Sequence, residues 1–90
     1  MRFSARVEVR LRPGTADPEG ATIERALPAL GFDDVSGVRA GRAFRFEIEA
    51  PDAAAAEARA GELAHRLLAN PVIEDSEVVV RSSAPAEEPA

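Results

Sequence analysis

Residues 2–12 alternate without a break. Phe3, Ala5, Val7, Val9 and Leu11 fall on one side, and Arg2, Ser4, Arg6, Glu8, Arg10 and Arg12 on the other. Successive strand side chains point to opposite faces, so this is a strand with one face on a core and the other in water or at an interface. The rest of the chain must supply a layer to cover the apolar face. At 90 residues it forms one domain, and a domain of this size buries only roughly 60% of its unfolded surface. It has no cysteine, so disulfides and thiolate zinc sites are excluded as reinforcement. Association of chains is the remaining common device.

Pro13-Gly14 ends this strand. Asp17-Pro18-Glu19 opens a helix: Asp17 caps free N–H groups, proline suits the first helical position, and Glu19 complements the dipole. Ile23, Ala26, Leu27 and Leu30 follow at helical spacing. Pro28 predicts a bend or a tightened last turn, and Gly31 a stop. Residues 32–40 are expected to form a second strand, with Gly37 as a bulge between the out-of-phase Val35 and Val38. A reversal at Ala40-Gly41 leads to a third strand, where Phe44, Phe46 and Ile48 alternate with Arg45, Glu47 and Glu49. Asp52 caps a second helix over 53–69, whose apolar stripe is Ala56, Ala60, Leu63, Ala64, Leu67 and Leu68. Asn70 is placed in the left-handed conformation at its end, with Pro71 preventing continuation. Residues 72–81 form a fourth strand.

The expected fold is α+β with the order β-α-β-β-α-β. Two helices cover one face of a four-stranded antiparallel sheet, as in ferredoxin-like folds. The domain is expected to span residues 1–82, and the Ser/Ala/Pro/Glu-rich residues 83–90 read as a disordered tail. The uncovered face would carry Arg6, Glu8 and Arg10 beside Arg45, Glu47 and Glu49. Such a face is either solvated or an interface where charges pair between chains.

Net charge is −5, and all eleven cations are arginine. Acidity argues against nucleic-acid binding, which needs clustered cations. Phe44 and Phe46 are core residues on this reading rather than a base-stacking platform. No segment approaches the roughly 20 apolar residues of a membrane span. The N-terminal residues match neither a signal peptide nor a lipidation motif, so a cytoplasmic location is expected.

Nothing in the sequence provides a self-contained catalytic site. Neither GxGxxG nor a Walker A pattern occurs. His65, the single histidine, lies near a helix end with no Ser or Cys nucleophile near it in sequence. With Glu62 it makes an i, i+3 pair, and two ligands do not make a metal site. Glu74-Asp75 point to opposite faces of a strand and cannot form an acid/base dyad. Asp33-Asp34 belong to a loop.

Three stretches carry a resemblance: Asp17-Pro18-Glu19-Gly20, Val38-Arg39-Ala40-Gly41-Arg42, and the run 67–75, Leu-Leu-Ala-Asn-Pro-Val-Ile-Glu-Asp. In this order and at these spacings the chain resembles PurS, the family of small subunits of phosphoribosylformylglycinamidine (FGAM) synthase. The resemblance covers residues 3–81. Glu19 stands where the family usually has Gln, Arg42 where it has Lys, and Ser76 where an aromatic is common.

The resemblance implies a complex that makes formylglycinamidine ribonucleotide from formylglycinamide ribonucleotide, glutamine and ATP. It implies a large synthetase subunit that holds ATP and magnesium, and a glutaminase subunit with a cysteine nucleophile. The small subunit would join the two and help ammonia pass between them, with no catalytic residue and no cofactor of its own. The expected partner contacts are Asp17, Pro18, Arg39, Gly41, Arg42, Asn70 and Glu74. Several of these residue types are also explained by capping and turn chemistry alone. A homodimer or homotetramer is expected, with neither nucleic acid nor membrane as partner. The alternative is a ligand-sensing domain of the ACT type, which shares the βαββαβ order and would use Pro13-Gly14 near its ligand.

Overall fold

The computed structural model describes residues 1–83. The elements are β1 (Arg2–Leu11), α1 (Pro18–Ala26), a 3-10 turn (Pro28–Leu30), β2 (Gly41–Glu49), α2 (Ala53–Leu63), continued by a π-helical turn (Ala64–Leu68), and β3 (Glu74–Ser82). β1 is the central strand of a three-stranded antiparallel sheet of order β2-β1-β3.

The four-stranded expectation is therefore corrected. Residues 32–40 form no strand. Gly37 sits at φ +70, outside extended backbone. The N–H groups that a ladder would have used go instead to carboxylates: Val38 N donates to Glu24 Oε1 at 3.0 Å and Ala40 N to Asp17 Oδ2 at 2.8 Å. The segment is strapped to α1 rather than to a strand.

The covering of the sheet is also corrected. α2 alone packs substantially on the sheet, while α1 contacts chiefly its own 3-10 turn. Gly20 is the one buried residue of α1. Along α2 and its π-helical continuation, Ala56, Ala60 and Ala64 are fully buried at a four-residue spacing. That stripe of methyl groups lets the helix lie close on Phe3, Val7 and Val9, the centre of two small core clusters. Enlarging Ala60 to Leu is expected to cost about 1–3 kcal/mol through overpacking, measured by urea denaturation.

The alternation of β1 appears as regular burial of Phe3, Ala5, Val7 and Val9. Pro28 does tighten the chain, in the 3-10 turn closed by Gly31 at φ +90. Asn70 is not left-handed, since no residue other than glycine has positive φ among the described residues. Its Oδ1 instead accepts from Val72 N at 3.1 Å, forming an Asx turn. Ser83 is held by Arg2 O (3.0 Å) and by Glu47 Oε1 (3.2 Å). The tail expectation otherwise falls on residues 84–90, which lie outside the described residues.

Candidate functional site

At one end of the sheet, three segments far apart in sequence meet. Asp17, Pro18, Gly41, Arg42 and Glu74 line a shallow groove of about 220 Å³ beside the end of β1. Arg39 and Asn70 flank it through bonds to these residues. The seven residues singled out from the sequence are thus brought to one place.

Asp17 is the brace of one side. Its Oδ1 accepts the capping bond from Gly20 N at 3.0 Å, and its Oδ2 accepts from Ala40 N. Arg39 Nε stands 3.8 Å from Oδ2, and Arg39 Nη2 donates to Thr15 O at 3.3 Å. The backbone bonds from Gly20 and Ala40, and then the Arg39 charge, hold the Asp17 carboxyl below its ordinary value, against the opposing effect of burial. Its side chain is only 5% exposed. Asp17 is thus occupied within the chain, joining the start of α1 to the approach of β2.

Gly20 belongs to the sequence motif but is not among the contacts expected from it. A Cβ there would meet Asp17 Oδ2 at 2.6 Å and the Val38 carbonyl oxygen at 2.7 Å. The signal was present, because glycine in the first turn of a helix is otherwise unfavourable. Glu24, which accepts from Val38 N, had no such signal. Gly41 is constrained for a related reason: a Cβ would lie 2.8 Å from Val9 O, inside the β1–β2 pairing.

Glu74 is the hub of the other side. Both of its oxygens accept from Arg42 Nη2 at 3.0 Å, and Oε1 accepts from Asn70 N at 2.7 Å. Arg42 Nη2 also reaches Leu68 O at 3.3 Å, at the end of the second helix, where a cation is favoured by the dipole. The guanidinium lies 5.8 Å from the Phe44 ring centroid. Arg42 thus ties β2, the helix end and β3 together. Arg12 strengthens the same corner through Pro71 O (2.6 Å) and Asp75 Oδ1 (3.1 Å).

Chemically, the groove is a set of backbone and ion-pair braces. Among the described residues no three His, Cys, Asp or Glu side chains cluster as metal ligands. His65 is exposed. No described helix is long and apolar enough to cross a membrane.

A family model described as "PurS: Phosphoribosylformylglycinamidine (FGAM) synthase" matches residues 4–82. The PurS subunit of Archaeoglobus fulgidus is 43% identical over 77 residues, covering 86% of this chain and 96% of that protein. The PurS subunit of Synechocystis is 41% identical over 73 residues, covering 81% and 73% respectively. A chain of the PurLQS structure from Thermotoga maritima superposes with a TM-score of 0.81 at 32% identity, covering 90% of this chain and 99% of that one. None of these matches supports the ligand-sensing alternative. The match runs through all three segments that build the groove, and the chain belongs to the PurS family of FGAM synthase subunits.

Proposed function

We propose that the chain acts as the small, non-catalytic subunit of a glutamine-dependent FGAM synthase in purine biosynthesis. The observation that carries this reading is the near full-length superposition on a chain of PurLQS. The chain would dock a synthetase subunit to a glutaminase subunit, so that ammonia released at one site reaches the other before protonation and loss to water. An adaptor contributes by positioning, the source of proximity effects. ATP and magnesium would be held by the synthetase subunit.

The groove suits this role because its backbone is held in place. The Asp17 brace and the Arg42–Glu74 pair order the 38–42 turn, whose Arg39 keeps an exposed guanidinium for a partner's carboxylate. Self-association is a second part of the proposal. Leu30 is 69% exposed and Phe32 51%, with Ile23 and Val35 also exposed on the same arm. An arm that packs little on its own sheet suits burial against a second copy. The proposed setting is the cytoplasm.

Reconstitution tests the function. Glutamine-dependent FGAM formation by the synthetase and glutaminase subunits of the same organism is measured with and without this chain. Activity is expected to rise markedly on its addition. Full activity in its absence would reject the adaptor role.

A further inference from the structure

The sheet face turned away from α2 holds a cluster that folding does not explain. Arg6 and Arg45 stand directly opposite each other across β1 and β2, and their side chains share the open face. Like charges placed opposite in a sheet are destabilising. Arg81 joins them from β3, opposite Ser4 and so two residues along the strand from Arg6's partner Val79. Among the described residues none of these three guanidiniums forms an ion pair, whereas seven of the other eight arginines do.

The other end of the same face shows the contrast. Glu8 opposes Glu77 across β1 and β3, and Arg10 bridges the two. One like-charge pair is neutralised within the chain and the other is left open. Arg6, on the central strand, lies between Arg45 and Val79, an apolar side chain of the edge strand β3 that is 37% exposed where the strand alternation calls for a polar residue. Ser4, Arg6, Arg45, Glu47, Val79 and Arg81 line an open depression of about 810 Å³, in which Glu47 is already held by Ser4, Ser83 and Arg2.

We infer that this face docks an acidic surface of a partner subunit, with the three arginines pairing with the partner's carboxylates and Val79 adding apolar contact beside Arg6 and Arg81. The inference rests on the reading of the chain as a subunit of the synthase complex, and it assigns the docking surface. Charge complementarity selects the occupant: three guanidiniums with no ion pair among the described residues, in a chain of net charge −5, seek clustered carboxylates. The depression is wide and open, and the arginines come from three strands. That geometry fits a protein surface better than an enclosed small anion. Arginine is also enriched at the contact centres of interfaces.

The test uses the full chain with the synthetase and glutaminase subunits of the same organism. The double variant R6Q/R45Q is expected to keep or raise the melting temperature of the isolated chain, because a like-charge pair is removed. The same variant is expected to weaken assembly roughly tenfold or more in Kd and to flatten its salt dependence. Arg59→Gln, on the outer side of α2, is expected to leave the Kd unchanged. Assembly of R6Q/R45Q with unchanged Kd and salt dependence overturns the inference and leaves the subunit reading standing. A change in self-association with no change in partner affinity assigns the face to a second copy and also overturns it. So does stabilisation of the wild-type chain by inorganic phosphate that is lost in the variant while assembly is unaffected. A wild-type chain that never assembles with the two subunits overturns the subunit reading itself, and the inference with it.

Discussion

Arg42 and Glu74 stand 32 residues apart in sequence, yet both Glu74 oxygens lie 3.0 Å from Arg42 Nη2. They belong to the two outer strands, on either side of β1, and meet on the face covered by α2. The Glu74 side chain is 14% exposed, so the pair is shielded more than an ordinary surface ion pair and keeps more of its value. Replacing Glu74 with Gln is expected to cost about 1–2 kcal/mol, because it weakens charge-assisted bonds from Arg42 and from Asn70 N. A double-mutant cycle with Arg42→Gln, read by urea denaturation, should show a coupling of about 0.5 kcal/mol or more. Additive losses would mean that the two side chains act independently.

The Asp17 brace predicts a pH dependence. Folding lowers this carboxyl below its ordinary 3.8, so the folded state favours the charged form. Its stabilisation is fully present above 3.8 and is lost as the pH falls through the lower folded value. Asp17→Asn should therefore lower the melting temperature near neutral pH, because the amide can still cap Gly20 N but its NH2 group cannot accept from Ala40 N. The gap from wild type should narrow in acid, below the ordinary carboxylate value. A gap of constant size down to strong acid would exclude the brace as its source.

Gly20 provides a case where two effects oppose. Alanine in a helix is normally favoured over glycine by about 0.5–1 kcal/mol. Here the added methyl would stand 2.7 Å from Val38 O and 2.6 Å from Asp17 Oδ2. Neither the backbone nor the bonded carboxylate moves freely, so the clash dominates. Gly20→Ala is expected to destabilise the chain and to increase amide exchange at Val38 and Ala40. Stabilisation would mean that the strap yields at little cost.

The exposed arm predicts self-association. Leu30→Glu and Phe32→Ser alter residues that make no core cluster in the isolated chain. Circular dichroism of the variants is expected to match wild type, while sedimentation velocity shifts to a smaller species. An unchanged sedimentation coefficient would remove the arm from the interface.

How much could be read from the sequence differs by element. β1 was legible because one strand with a single buried face imposes a strict period of two, and Phe3, Ala5, Val7 and Val9 follow it. α2 was legible from its alanine content and its Asp52 cap, which accepts from Ala55 N at 2.8 Å. The valines of the 32–40 segment suggest a strand, while the competing acceptors Asp17 and Glu24 lie 14 to 23 residues away. A carboxylate at that separation leaves no mark in local propensity.

Local sequence thus determined what depends on neighbours along the chain: strand period, helix caps, glycine stops, and the family whose motifs the segments carry. Only the tertiary structure decided that Arg42 meets Glu74, that Asp17 holds Ala40, and that Arg6 stands opposite Arg45. Those relationships depend on strand register and on which strand is central. Register is set by burying the whole apolar face of β1 at once, a collective quantity that no single stretch of residues contains.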